Sequence, residues 1–540
     1  MDEVTIEYGD GTLHMKKSAS LIAVKAKPGT GSEALARLAP QMATSADPVQ
    51  QLGGFQVLRV DDAAGIGVED SLDMLRASEE IEVGTHVFET SDDGVPFVPT
   101  GQLYVECAPD ASDEAVQGLL DEHSLEIVEA RDDRTFIVQV TPQSANPIKT
   151  AAALQQSPFV EVAEPDLATP GVVKAVAAGG QSPPFALPAD ELLAEQWHLR
   201  NTGRHRNTRI GFVAGADARV AAAWEYAKSL GDTTVVVAVI DDGFDLKHPD
   251  LSGDGKIVAP VDFTRNSNEP LPDVLGEDWH GTACAGVAVG NADSKGIVGA
   301  APHCRLMPVR WGRSLSDREI ENWFGWVAQQ GAWVVSCSWG AAAKNFPLST
   351  RMRRAITRCA RDGRAGLGCV IVFAAGNANR NVNDPAAGTL DGFAIHPDVI
   401  AVAACNSLDQ RSTYSNFGEE ISVCAPSSGA PGWRITTADV MGRFLHGGVW
   451  HEAGYSPGAF TNEFGGTSSA CPLVAGICAL LLTIQPQLKG TEVKALIERT
   501  ARSVGDPATY DANGHSPFHG YGCVNAQAAV QALVGEDVQA

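Results

Sequence analysis

Residues Val235 to Ile240 read VVVAVI, six consecutive apolar residues closed by Asp241, Asp242 and Gly243. A strand with this composition has no polar face to offer water, so it must be covered on both sides. Similar runs recur at Arg305 to Val309, Trp333 to Ser336, Val370 to Ala374 and Val399 to Ala403. Between them, apolar residues spaced i, i+3, i+4 predict helices over Thr282–Gly290, Arg318–Gln330, Arg351–Asp362, Ser468–Gln485 and Thr491–Ala501. Strands buried on both faces and alternating with helices imply an α/β domain, a doubly wound and mostly parallel sheet flanked by helices, over residues 190–540.

The first 168 residues follow another pattern. Alternating hydrophobics predict strands at Ser20–Lys25, Phe55–Val60 and Ile81–Val83, with helices at Gly31–Ala39 and Asp70–Ser78. A second series has strands at Gly101–Cys107, Leu125–Ala130, Thr135–Val140 and Val160–Ala163, with helices at Asp113–His123 and Pro147–Gln156. The order β-α-β-β-α-β is that of a ferredoxin-like α+β unit. Two tandem units are therefore expected, over 1–97 (the weaker match, with one middle strand unassigned) and 98–168. The stretch from Ala168 to Pro188 is rich in Ala, Gly and Pro and nearly uncharged, which reads as an exposed linker over 169–189.

Charge narrows the function. A formal net charge of −26 argues against nucleic acid or an anionic membrane as partner and leaves carboxylates for a cation. The start lacks a basic segment followed by an apolar one, and no stretch reads as a membrane span, so a cytoplasmic location is expected; a misassigned start would leave secretion open. Eleven scattered cysteines without paired CxxC spacing, and no HExxH, argue for packing thiols rather than disulfides or zinc.

The chemistry gathers in three blocks. VVVAVIDDGFDLKHPDL puts Asp241 at the carboxyl end of a buried strand, where catalytic groups collect in doubly wound sheets. WHGTACAGVAVG puts His280 at the start of a helix, and FGGTSSACPLVAGICALLL puts Ser468 at the N-terminus of a long apolar one. A serine needs a positioned base to become a nucleophile, and that base needs an acid to fix its tautomer. The chain offers one candidate for each, in the order Asp, His, Ser.

These motifs, from about Asp190 to Val534, resemble the subtilisin superfamily. EQWHLRNTG, DDG, SWG, DGF and GTSSACP lean toward its kexin-like side, without a counterpart of the kexin P domain. The resemblance implies that Asn377, ending VIVFAAGN, supplies an oxyanion donor beside the Ser468 backbone N–H. It implies that Ser338, Trp339 and Gly340 pair with an extended substrate, and that Asp391 lies beneath the pocket for the residue before the scissile bond. Kexins carry acids just after SWG, whereas here the stretch is Ala341, Ala342, Ala343 and Lys344. A broader or single-basic preference is therefore expected rather than a strict dibasic one.

The resemblance also places Asp190, Asp250 and Asp293 at a structural calcium site, with Asn291, Lys295 and Ile297 adding oxygens. Hard oxygen ligands from distant segments suit Ca2+; solvated surface aspartates are the plainer alternative. The expected function is a serine endopeptidase acting on proteins or peptides. The unit 98–168 would be an intramolecular propeptide, both chaperone and inhibitor, removed by self-cleavage in 169–189. The rival reading is a catalytically silent protein of the same fold that binds peptides or partners through its N-terminal units.

Overall fold

The computed structural model describes residues 3–9, 11–27, 50–60, 67–78, 80–91, 94–109, 111–173, 187–204 and 211–537. The expected helix Gly31–Ala39 and residues 174–186 of the expected linker lie outside them. The chain divides into two compact units. One holds Met1–Gly171 with Arg313–Asn322 and Ala341–Arg354; the other holds Val172–Gly312, Trp323–Gly340 and Ala355–Ala540.

In the first unit, both β-α-β-β-α-β series take the same antiparallel sheet order. In the first series Gly11–Ala26 pairs with Ile81–Thr90 on one side and Phe55–Arg59 on the other, and Phe55–Arg59 pairs with Gln50–Leu52. The three-residue strand Gln50–Leu52 is the middle strand the sequence left unassigned. In the second series Pro96–Cys107 lies between Val160–Val173 and Thr135–Val140, and Leu125–Ala130 closes the edge. Fourth beside first, first beside third, third beside second is the ferredoxin-like order. Two helices begin at side-chain caps, Ser112 accepting from Ala115 N and Asn146 from Lys149 N, the latter followed by Pro147 at the first helical position.

The two series share a strand. Phe97 and Pro96 also pair with Phe88 and Glu89 of Ile81–Thr90, so Pro96–Cys107 joins both series into one sheet. Each keeps its own core: Ile22, Val24, Leu58, Leu72 and Leu75 in the first, and Leu103, Val105, Leu120, Val138 and Leu154 in the second.

The strand Val160–Val173 runs past Ala168, where the sequence suggests a linker. Thr169 and Pro170 pair antiparallel with Leu315 and Ser314, and Pro170 O accepts Ala342 N at 3.1 Å. Ala168 and Thr169 are fully buried. The small uncharged residues here reflect close backbone packing, which composition alone cannot tell from exposure. Two acids of this strand meet helix starts inside the same unit. Glu164 accepts Thr350 N at 2.9 Å, where the helix Thr350–Asp362 begins, and Asp166 accepts Asp317 N at 2.9 Å, where Asp317–Gln329 begins. Carboxylates at such ends satisfy orphan N–H groups and complement the helix dipole.

In the second unit the strands Val261–Asp262, Arg305–Arg310, Val236–Asp241, Val334–Cys337, Val370–Ala374, Val399–Cys405 and Val423–Pro426 form a parallel sheet in that order. The first of these in sequence, Val236–Asp241, has the third and fourth as neighbours. Successive connections therefore leave it in opposite directions, which opens a crevice at its carboxyl edge. Helices His280–Val289 and Thr467–Ile484 pack together in the largest core cluster, with Val237, Val239, Val372 and Val402 from the sheet. Among the described residues, Thr467–Ile484 alone is long and apolar enough to cross a membrane. No such segment is expected from the sequence; this helix passes on composition because Thr467 to Leu482 are all buried in the protein core.

Two buried histidines bear on stability. Burial alone pushes His198 down to about 3, and burial first of all pushes His519 down to about 4. Both are neutral when folded, and the unfolded chain binds their protons near the ordinary value of about 6.5. Their contribution is complete above that value and is lost as pH falls through it toward 4. His519 stacks on Tyr510 at 6.2 Å, a place a phenyl ring can take. His519→Phe is expected to make the fall in unfolding free energy between pH 6.5 and 4.5 shallower by up to about 1.4 kcal/mol per pH unit, as measured by urea denaturation across pH.

Candidate active site

Asp241 is the last residue of Val236–Asp241 and His280 the first of His280–Val289; both are buried. His280 Nδ1 and Asp241 Oδ1 are 2.8 Å apart, and the same oxygen accepts Asp242 N at 2.9 Å. Asp242 in turn accepts Gly281 N at 2.9 Å, so the second acid of the DDG triplet holds the start of the histidine's helix. Residue 281 has to be glycine. A Cβ there would lie 2.5 Å from Gly243 O and 2.9 Å from Asp241 Cβ. Phe464 meets the His280 ring edge-on at 5.5 Å.

Ser468 is the second residue of Thr467–Ile484 and lies in the same buried region. Its Oγ donates to Ser338 O at 3.5 Å. Four residues on, Pro472 has no N–H to give the Ser468 carbonyl, so the usual rung of the helix ladder is missing. That carbonyl instead accepts Ser338 Oγ at 3.1 Å and Cys284 Sγ at 3.6 Å. Cys284 also lies 3.6 Å from His280 Nδ1. Nucleophile candidate, base candidate and the 338 segment are thus tied by side chains around one carbonyl.

Asn377 follows the strand Val370–Ala374. Its Oδ1 accepts both Thr467 N at 2.9 Å and Thr467 Oγ1 at 3.0 Å, and Thr467 Oγ1 accepts Gly376 N at 3.0 Å. With Oδ1 committed to Thr467, the donor end of the amide, Nδ2, faces the other way. Ser338, Trp339 and Gly340 follow the strand Val334–Cys337. The Trp339 side chain belongs to the core: it donates to Ile240 O at 2.8 Å and packs against Trp311, Trp323, Phe373 and Phe393. Only its backbone can serve a substrate. Asp391 ends the short strand Thr389–Asp391 and accepts Ala394 N at 3.3 Å, a local turn contact.

The expected calcium ligands separate into two groups. Asp190 and Asp250 are buried and converge on one loop. Asp190 Oδ1 accepts Asp293 N and Ser294 N, both at 2.9 Å, and Asp250 Oδ2 accepts Ile297 N at 2.7 Å. Among the described residues, their other oxygens, Asp190 Oδ2 and Asp250 Oδ1, are buried without a hydrogen-bond partner. Burial, with Asp293 and Asp190 crowding it, raises Asp250 to about 7. Orphaned buried carboxylate oxygens of this kind fit a hard cation. Asn291 turns its Nδ2 to Ser252 O at 2.8 Å, which leaves Oδ1 as the ligand end. The side chains of Asp293 and Lys295 stand at the surface, 4.0 Å apart, and Lys295 is expected to offer its backbone carbonyl rather than its side chain.

The sequence reading missed Asp242, Cys284 and Thr467. The first and third had a signal: a second acid beside Asp241, and a Thr placed directly before the serine. Cys471 is a packing thiol, donating to Val372 O at 3.4 Å and pushed up to about 11 by burial. All eleven cysteines are buried and unbridged.

The model of the Subtilase family matches residues 232–522. A calcium-dependent protease of Nostoc sp. is 36% identical over 502 residues, spanning 88% of this chain and 70% of that protein. A calcium-dependent protease of Trichormus variabilis is 42% identical over 355 residues, 62% of this chain and 51% of that protein. Among solved structures, fervidolysin from Fervidobacterium pennivorans, described as a keratinolytic enzyme related to subtilisin, aligns with a TM-score of 0.57 at 23% identity. It covers 82% of this chain and 62% of that one, a likeness of fold.

Gly281→Ala should destabilise the second unit by about 1–3 kcal/mol, because backbone rather than a flexible side chain blocks the methyl, and urea denaturation measures it.

Proposed function

The chain belongs to the subtilase family of serine endopeptidases, and on that premise we propose that Ser468 is the nucleophile, His280 the general base and Asp241 the residue that orients it. The observation that carries this is the 2.8 Å contact between His280 Nδ1 and Asp241 Oδ1. It commits Nδ1 to the acid and leaves Nε2 as the atom that handles protons. Ser468 Oγ attacks the scissile carbonyl and its proton passes to His280 Nε2. The oxyanion is held by Asn377 Nδ2 and the Ser468 backbone N–H. His280 then protonates the leaving amine, and water resolves the acyl-enzyme by the same steps in reverse. Substrate pairs through the backbone of Ser338 to Gly340. No acid follows in Ala341 to Lys344, and Asp391 is the acid assigned beneath the pocket, which supports a broader or single-basic preference rather than a strict dibasic one.

The same reading makes the N-terminal region a propeptide. It is supported by the strand Val160–Val173, whose Pro170 pairs with Ser314 and accepts Ala342 N, directly after the substrate segment in sequence. Self-cleavage between residues 173 and 189 would release it. Intact mass of the purified chain over time tests nucleophile and propeptide together. The wild type should lose its N-terminal region while Ser468→Ala stays whole; equal behaviour of the two refutes self-processing. Asn377→Ala should lower kcat on a peptide substrate by about 10²–10³, with KM little changed.

Calcium is proposed as a structural ion held by Asp190, Asp250 and the Asn291–Ile297 loop. When bound, it supplies charge balance for two buried carboxylates. The relatives' designation as calcium-dependent and the orphaned oxygens support this. Calcium at about a hundredfold its Kd should raise the unfolding free energy by about 2.7 kcal/mol. Asp250→Ala should abolish that calcium-dependent gain, read by thermal unfolding with and without chelator.

A further inference from the structure

Between the strand Ile435–Ala438 and Ser468 stands an antiparallel hairpin, Arg443–His446 with Val449–Glu452. Its turn is Gly447–Gly448, both with positive φ, at 58° and 79°, the two-residue turn that matches strand twist. Arg443 and Glu452 close its base at 2.7 Å, and Leu445 opposes Trp450. Three large apolar side chains stand open to water here: Leu445 at 56%, Val449 at 59% and Trp450 at 61% exposure. A marginal two-stranded hairpin that keeps an exposed Trp–Leu pair has no stability reason to do so.

Its position suggests a use. Met441 N donates to Asp245 Oδ2 at 3.3 Å, in the loop after Asp241. The ring of Phe444 lies 6.3 Å from that of Trp279, the residue immediately before His280. At the other end of the insertion, Tyr455 packs on Phe464 at 5.8 Å, and Phe464 touches the His280 ring. The hairpin therefore rises on the histidine's side of the site. The histidine of such a triad must reach the leaving amine to protonate it, so the substrate chain beyond the scissile bond emerges on that side. Residues 338–340 serve the other half of the substrate.

We propose that the hairpin 443–452 is a docking element for the leaving-group half of protein substrates, with Leu445 and Trp450 receiving an apolar side chain located beyond the scissile bond. The proposal rests on the assignment of Ser468 and His280 made above. An aromatic anchor with an aliphatic neighbour is the composition expected of a surface that gains energy by excluding water. An extended chain arriving there leaves the acyl-enzyme with its carrier peptide, so docking raises the rate of acylation and leaves deacylation untouched.

The test compares two substrates on the self-processed enzyme and on the double variant Leu445→Ser, Trp450→Ser. One substrate is a peptide p-nitroanilide, with no residue beyond the scissile bond. The other is a fluorescence-quenched peptide with the same acyl half, extended by four residues including Leu and Phe. The variant should lose at least about tenfold in kcat/KM on the extended peptide and keep its anilide rate. Equal rates on both substrates, or a parallel fall on both, overturn the docking role. So does a Trp450-dependent shift from dimer to monomer at unchanged peptide rates, which would assign the hairpin to a second copy of the chain. A wild-type enzyme inactive on the anilide would refute the catalytic assignment itself, a result distinct from all of these.

Discussion

Asp241 carries its carboxyl at the end of a strand covered on both faces, with no exposure to solvent. A carboxylate so placed costs several kcal/mol unless donors meet it, and His280 Nδ1 and Asp242 N do so. Much of the second unit follows from that requirement. The strand must end where the sheet's connections diverge, the helix must begin at residue 280, and the next residue must lack a side chain. The second acid holds the helix start through Gly281 N. The apolar run before Asp241 and the Asp-Asp-Gly after it are two parts of one arrangement, in which hydrophobic burial holds a charge against its partner.

The first unit uses carboxylates differently. Glu164 and Asp166, two residues apart on one face of a strand, each meet the start of a helix. The period of two in a strand sets their spacing, and the orphan N–H groups of two helix ends absorb them. Asp317, capped in this way, is itself a buried acid that accepts Tyr8 Oη and Ser349 Oγ. Burial and the neighbouring carboxylates push it well above the ordinary range. The strand Glu3–Tyr8, paired antiparallel with Gly11–Ala26, thus contributes to the same acidic cluster through Tyr8, and Gly9 N just after it donates to Glu164 at 2.9 Å.

The strongly patterned parts of the chain were legible in the sequence. Val370–Ala374 and Leu125–Ala130 fall on their predicted residues, and the helices from Thr350 and Thr467 are displaced by one residue at their starts. Such segments owe their structure to their own periodicity. Gln50–Leu52 was not legible because three residues carry no period, and its pairing with Phe55–Arg59 depends on the turn at Gly53 and Gly54. The end of Val160–Val173 looked like a linker because its partners, Ser314 and Ala342, lie far along the chain. In the site, residue types and their order singled out Asp241, His280 and Ser468 as the candidates. Cys284 acts through geometry that no local spacing encodes, whereas Asp242 and Thr467 were signalled by their places beside Asp241 and Ser468. The hairpin at 443–452 left only its Gly-Gly turn as a trace.

Pro472 has a consequence for the order in which this molecule assembles. Helices ordinarily form early because their bonds are local, and the first turn is complete once the next residues are in place. Here the carbonyl of Ser468 finds its donors in Ser338 and Cys284, 130 and 184 residues away along the chain. The turn that presents the serine can therefore settle only after the sheet and both helices have docked. On the proposed role of Ser468, a chain on its way to the native state carries the right residues without their arrangement, so its cutting power arrives last, when the surfaces it could have damaged in its own kind are already folded away.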